Sequence, residues 1–194
     1  MFKQSNFNLI PSTNLEEIAI AQRFNQALPE INLDGLSLRQ LQAEDLPIWF
    51  NYLSNELVRE SISWDVKHER ELLNFLDYEH GTQRKWALVD EQNRLIGTGG
   101  LHSINLDHNS CEVAYDISPE YWGKSYATEL CKTLSDWAHK CLNMKRISAT
   151  VMVSNTSSKR VLEKSGYHFE GIMRSYRQVR GRYPDYFLFS SIAE

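Results

Sequence analysis

Cysteine is scarce in this chain. Three occur in 194 residues, Cys111, Cys131 and Cys141, an odd number with no pair at metal-site or thioredoxin spacing. Reduced thiols in a cytoplasmic protein are therefore expected. His102, His108, His139 and His168 lack ligand-like spacing as well, so no metal is inferred. A long apolar run is missing, which argues against a membrane span, and the opening M-F-K-Q-S-N-F-N has no leader-like apolar region. Surplus positive charge is missing too. The net charge of −4 argues against a generally basic nucleic-acid surface and makes a cationic or amine substrate modestly easier to attract. No internal repeat or low-complexity tract interrupts the chain. The composition that remains, 42% hydrophobic and 24% charged, fits one globular domain with a sizeable core and a short extension.

Residues 1–34 differ in character from the rest. Asn14 to Leu28 reads as one helix, with Thr13 or Asn14 as cap and Pro29 as stop. The expectation is an accessory arm over 1–34 and a main domain over 35–194. In that domain Leu36, Leu38 and Leu41 mark a first strand. Glu44–Asn55 reads as a helix that tolerates Pro47 in its first turn, Ser61–Val66 as a loop holding Trp64, and Lys67–His80 as a second helix. Trp86–Val89 and Leu95–Ile104 suggest a hairpin, with Gly97, Gly99 and Gly100 marking a bulge or a close backbone approach. Cys111–Ile117 is a fourth strand. Tyr126–Leu142 is the most clearly amphipathic helix, with Leu130, Leu134, Trp137 and Ala138 on one face. Arg146–Val153 is a β-branched strand, and Asn155–Ser165 a short helix closed by Gly166. Tyr167–Met173 and Tyr186–Ile192 finish as strands, giving the order β-α-α-β-β-β-α-β-α-β-β.

The most informative stretch joins the fourth strand to the long helix: P-E-Y-W-G-K-S-Y-A from Pro119. A small-residue turn at a helix start leaves backbone N–H groups unpaired where the helix dipole is positive, a place that binds phosphate without a cationic side chain. Alone, it is equally an ordinary strand–helix junction. Two further stretches matter: S-N-T-S-S-K-R-V-L-E-K-S-G-Y-H-F-E-G-I from Ser154 and G-R-Y-P-D-Y-F-L-F-S from Gly181.

Together these stretches, in this order over roughly residues 35–192, resemble the GNAT superfamily of acyl-CoA-dependent N-acetyltransferases, and within it the ribosomal-protein N-terminal acetyltransferase (RimJ/RimL-type) branch. The resemblance implies an α/β (α+β) GNAT fold: a mixed, largely antiparallel sheet of about seven strands, splayed between strands 4 and 5 and flanked by helices. It implies acetyl-CoA as co-substrate, with main-chain amides across Trp122, Gly123, Lys124, Ser125, Tyr126 and Ala127 at the CoA pyrophosphate. Ile117 would pair with the pantetheine arm like an added strand. The family turn reads Q/R-x-x-G-x-G/A, so Trp122 stands for its polar first position and Ser125 for its second glycine. Serine there costs about 1–2 kcal/mol if the backbone is left-handed.

Amine attack needs a base to remove the ammonium proton. Glu112 resembles the carboxylate that some family members carry on this strand, against the reading of a solvated glutamate; Asp116 is the reserve. The family's usual tyrosine acid falls on Leu162. The branch's N-x-x-S element matches Asn155 and Ser158, implying that Asn155 bonds the pantetheine arm and Ser158 reaches the sulfur. The alternative is that Ser154 or Asn155 only caps a helix. Trp64, Glu60 and Asp65 fall where this fold builds an acceptor groove, though a core tryptophan is the commoner reading. Arg174, Arg177, Arg180 and Arg182 read best as a solvated loop, against contact with acidic partners, the CoA 3′-phosphate or ribosomal RNA. The acceptor implied is a protein N-terminal amine. A polyamine or aminoglycoside is the runner-up, and a non-catalytic acyl-CoA-binding or ribosome-associated module the rival of another class. A homodimer is left open.

Overall fold

A seven-stranded sheet of order β1-β2-β3-β4-β5-β7-β6 organises the computed structural model, which describes residues 35–76 and 83–194 together with residues 22, 29–31 and 33. The helix expected over 14–28 lies, Gln22 apart, outside these residues, as do positions 77–80 of the second expected helix. The strands are β1 (Leu36–Gln40), β2 (Arg84–Asp90), β3 (Leu95–Asn105), β4 (Ser110–Ile117), β5 (Arg146–Met152), β6 (His168–Met173) and β7 (Tyr186–Ile192). The helices are α1 (Leu46–Leu53), α2 (Glu56–Ser61), α3 (Tyr126–Cys141) and α4 (Thr156–Lys164).

Two elements differ from expectation. The first helix begins as a 3-10 turn over Ala43–Asp45, and a separate short helix, α2, follows it, capped where the Asn55 side chain accepts from the Leu57 amide. The second expected helix is 3-10 over Glu69–Phe75. A 3-10 turn superposes residues three apart, which puts Leu72 and Phe75 together against the α1 cluster.

Both faces of the sheet are covered. On one, Leu130, Leu134 and Ala138 of α3 bury against Leu101, Val113 and Ile147. On the other, Trp49 and Leu53 of α1 and Leu72 bury against Ala87, Val89 and Leu95. The strand glycines mark close approaches: a Cβ on Gly99 would lie 2.8 Å from the Leu130 side chain, and one on Gly100 only 2.1 Å from the Arg84 carbonyl oxygen.

Every strand pairing is antiparallel except β4 with β5, which is parallel and short. It holds Ser110 to Arg146, Cys111 to Ile147 and Glu112 to Ser148, and then ends. Residues 113–117 and 149–152 diverge. This is the expected splay.

Asp116 anchors the diverging end of β4 from the other side. Its carboxylate accepts from Trp49 Nε1 (3.2 Å), Tyr52 Oη (2.5 Å), Lys85 Nζ (3.0 Å) and Thr98 Oγ1 (2.7 Å). Lys85 Nζ also sits 5.0 Å from the Trp49 ring centre. Burial, then the Asp116 charge, pushes the Tyr52 phenol well above its ordinary pKa and keeps it a donor. Four donors from α1, β2 and β3 thus converge on one carboxylate, an arrangement that fastens β4 to the far layer. Replacing only Asp116 by alanine takes the carboxylate partner from a buried ammonium and should cost about 3–5 kcal/mol in urea unfolding. The double variant Lys85→Met/Asp116→Leu should recover most of that loss.

Candidate active site

The register of β3 with β4 decides what faces the gap. The Ser118 amide donates to Ile96 O, so Gly97 and Ile117 form a non-hydrogen-bonded pair. Alternation along an antiparallel ladder then turns the main-chain N–H and C=O groups of Val113, Tyr115 and Ile117 away from β3, toward β5. The Val113 amide closes the last β4–β5 pair at Ser148; beyond it the Val113 carbonyl and the Tyr115 and Ile117 amides meet no strand, because β5 has parted. A cleft of about 1470 Å³ occupies the gap, and Val113, Tyr115 and Ile117 line it from one side, Ala149, Val151 and Met152 from the other.

At one end of the cleft lies the turn after β4. Gly123 has φ +79° and Ser125 φ +62°, so the turn demands a left-handed backbone at both positions. The serine departs from the family pattern at a real conformational cost. Ser125 makes no side-chain cap, and the Thr128 and Glu129 amides both donate to its carbonyl. The opening amides of α3, Tyr126 and Ala127, lie ahead of the intrahelical ladder, at the positive end of a 16-residue helix. Trp122, Gly123, Ser125, Tyr126 and Ala127 line the cleft. The Lys124 side chain does not; its ammonium sits over the Tyr121 ring, 5.3 Å from the centre. Trp122 braces the turn, its Nε1 donating to Ile117 O at 2.7 Å. The site thus offers free amides at a helix start and unpaired strand groups beside them, the arrangement a diphosphate with an extended polar tail requires.

Across the cleft, Asn155 caps α4. Its Oδ1 accepts from the Ser158 amide and its Nδ2 donates to Ser61 O, both at 2.9 Å. The capping reading and a cleft position both hold, since Asn155 lines the cleft. Ser158 Oγ lies 3.0 Å from Tyr115 Oη, so a hydroxyl pair bridges β4 and α4. Burial raises the Tyr115 phenol far above its ordinary pKa, which fixes it as neutral. Leu162 is in the core at 1% exposure, and no tyrosine stands in its place.

Glu112 stands at the last β4–β5 pair, where the strands part. Its carboxylate is 3.8 Å from His102 Nε2. Trp64 packs edge-on against Trp49 and Phe75 while also lining the cleft, so the core and groove readings coincide. Arg174, Arg180 and Arg182 are exposed, as expected of a solvated loop, and Arg180 and Arg182 together with the half-buried Arg177 also line the cleft. Arg177 stacks on Tyr176 at 4.4 Å, and Arg180 donates to Ile62 O at 3.2 Å.

Sequence reasoning missed Tyr115 and His102. Period-two alternation from Val113 to Ile117 carried a signal for Tyr115. The glycine pair preceding His102 marked a strand approached closely by its neighbours.

Comparison with known proteins completes the picture. A domain profile described as "Acetyltransferase (GNAT) domain" matches residues 36–168. An "Uncharacterized N-acetyltransferase p20" of Bacillus licheniformis is 32% identical over 81% of this chain and 92% of its own. A spermidine N(1)-acetyltransferase of Vibrio cholerae is 29% identical over 77% of this chain and 88% of its own. A solved spermidine N-acetyltransferase from Vibrio cholerae, in complex with CoA and spermine, superposes with a TM-score of 0.74 at 28% identity. It covers 82% of this chain and 96% of that one.

Two variants probe the turn. A β-branched residue is strongly disfavoured at φ +79°, so Gly123→Val should weaken CoA binding at least tenfold by calorimetry while the circular dichroism stays native. Unchanged affinity would remove the turn from the site. Ser125→Gly relieves the left-handed serine and should raise unfolding stability by about 1 kcal/mol.

Proposed function

We infer the acceptor from the premise that the chain belongs to the GNAT acetyltransferase family and is an acyl-CoA-dependent N-acetyltransferase using acetyl-CoA. The proposed acceptor is the N-terminal amine of a protein, as in the RimJ/RimL-type branch whose three motifs the chain resembles. The observation that carries this reading is the charge of the cleft wall. Eight of its lining residues are Lys or Arg and three are Asp or Glu. A polypeptide N-terminus presents one ammonium followed by main-chain polar groups. A polyamine presents several ammoniums to the same cationic wall and is repelled more strongly. The second reading, a small amine acceptor, draws support from the spermidine acetyltransferases among the relatives.

The proposed roles follow from position. Main-chain amides from Trp122 to Ala127 hold the diphosphate, and Ile117, whose carbonyl is taken by the Trp122 indole, extends its main-chain amide to the pantetheine arm. Asn155 orients the start of α4 beside that arm. The ammonium proton is taken up at the root of the gap, where His102 and the Glu112 carboxylate face each other. Direct attack in a ternary complex joins nitrogen to the thioester carbonyl, and Ser158, backed by Tyr115, supplies the proton for the departing thiolate. Holding both reactants in line accounts for much of the rate, up to about 7–11 kcal/mol of barrier. Residues 1–34 are proposed as an accessory arm on a catalytic domain over 35–194, in a cytoplasmic enzyme.

An acceptor screen with acetyl-CoA tests the reading. Peptides beginning with Ala, Ser or Met should outpace spermidine and aminoglycosides in kcat/KM. Faster turnover of spermidine would transfer the reading to small amines. CoA binding without thiol release on any amine would favour the non-catalytic module. Ser158→Ala should lower kcat about 10²-fold with CoA affinity retained; an unaltered kcat would remove Ser158 as the acid.

A further inference from the structure

His102 stands directly across from Glu112 in the β3–β4 register. That pair shares a sheet face with Thr98 and Asp116 and sits at the last position before β4 and β5 separate. The His102 ring lines the cleft, whereas Glu112 is absent from its lining. Its Nδ1 lies 3.1 Å from Ser103 Oγ, and its Nε2 lies 3.8 Å from the Glu112 carboxylate. Within the cleft wall, imidazole is the side chain whose ordinary titration lies nearest neutrality.

We propose that His102 is the general base of the acetyl transfer and that Glu112 is its positioning partner, steadying the imidazolium that forms. This rests on the N-acetyltransferase reading of the same cleft. The acceptor enters as an ammonium with three N–H bonds. One proton passes to a His102 ring nitrogen, which frees the lone pair to attack the thioester carbonyl carbon. The N–C bond forms and the C–S bond breaks. The second amine proton leaves as that bond forms and ends on the departing sulfur through the Ser158 hydroxyl. The third stays on the amide, and His102 returns its proton to solvent.

The surroundings keep the base in its acceptor form. Burial lowers the His102 pKa below its ordinary value, the facing Glu112 carboxylate opposes that shift, and Lys85 from β2 and Arg177 from beyond β6 reinforce it. The imidazole is therefore neutral at pH 7. Removing Glu112 takes away the one group that favours the protonated ring, so the pKa must fall further. A base assignment to Glu112 alone predicts no such shift in activity.

The test is kcat against pH at saturating acceptor for wild type, His102→Gln and Glu112→Gln, with CoA calorimetry on each. The His102 Cε1 proton is followed by NMR on the full chain. Wild type should show an acid limb below pH 6.5 that matches the NMR titration of His102. His102→Gln should lose that limb and fall about 10²- to 10⁴-fold at pH 7, with CoA affinity within about twofold, which also shows that it is folded. Glu112→Gln should keep the limb and move it to lower pH, with the NMR titration moving alike. Retention of the limb and of kcat in His102→Gln overturns the proposal, as does loss of the limb in Glu112→Gln alone. A wild-type protein that binds CoA and acetylates no amine overturns the transferase reading and the proposal together. An active wild type with an unaltered His102→Gln profile overturns only the assignment of His102.

Discussion

The parallel ladder between β4 and β5 stops after Glu112 and Ser148, and the site depends on that stop. Each strand is held firmly on its outer edge: β4 by β3 as far as Ile117, β5 by β7 over its whole length. Neither can turn to satisfy the other. The inner edge of β4 is left with main-chain donors and acceptors that belong to no ladder, at the depth of the core. Such groups are costly unless something pairs with them. An extended chain with amide groups, laid in the gap, does so by completing the sheet. The fold thus creates its ligand preference before any side chain is considered.

Two devices keep the gap open and aligned. Asp116 gathers four donors from α1, β2 and β3, so the diverging end of β4 is fastened to the far layer and does not swing toward β5. At the end of the strand, the Trp122 indole ties the turn back to the Ile117 carbonyl. The turn then delivers the first amides of α3 to the same end of the cleft. A left-handed serine at position 125 is tolerated because the turn is held on both sides, by this indole and by a helix whose face is buried in the core. Strain of this kind persists only where the surroundings over-determine the backbone.

Local pattern carried most of the fold. Alternation and helical spacing located all seven strands and the two helices that flank the gap, because each buries a face set by its own periodicity. Residues 69–75 misled, since a helical apolar period does not distinguish an α-helix from a 3-10 turn when Leu72 and Phe75 do the packing. The site divides along the same line. The turn, Asn155 and Ser158 were legible because their geometry is local. The tie from Asn155 to Ser61, the hydroxyl pair of Tyr115 with Ser158, and the His102–Glu112 juxtaposition were not. Each joins residues from separate elements, and only the sheet register brings them together. The roles assigned to these residues in the reaction remain proposals.

Charge gives the clearest case of a whole-chain property that reverses at the site. A net charge of −4 suggests affinity for cations. The cleft wall carries eight basic and three acidic residues, so its own sign is opposite. At physiological salt a charge is felt over about 8 Å, and a cleft with low-dielectric walls focuses what it carries. A ligand inside the gap therefore responds to Arg177, Arg180 and Arg182 rather than to acidic groups on distant surfaces. That local field suits the polyanionic end of CoA at any point of entry. It also weighs against acceptors that bring several positive charges, whatever the composition of the chain as a whole suggests. On the proposed reading the acceptor amine arrives with a single positive charge to lose, beside the groups at the root of the gap that can take its proton.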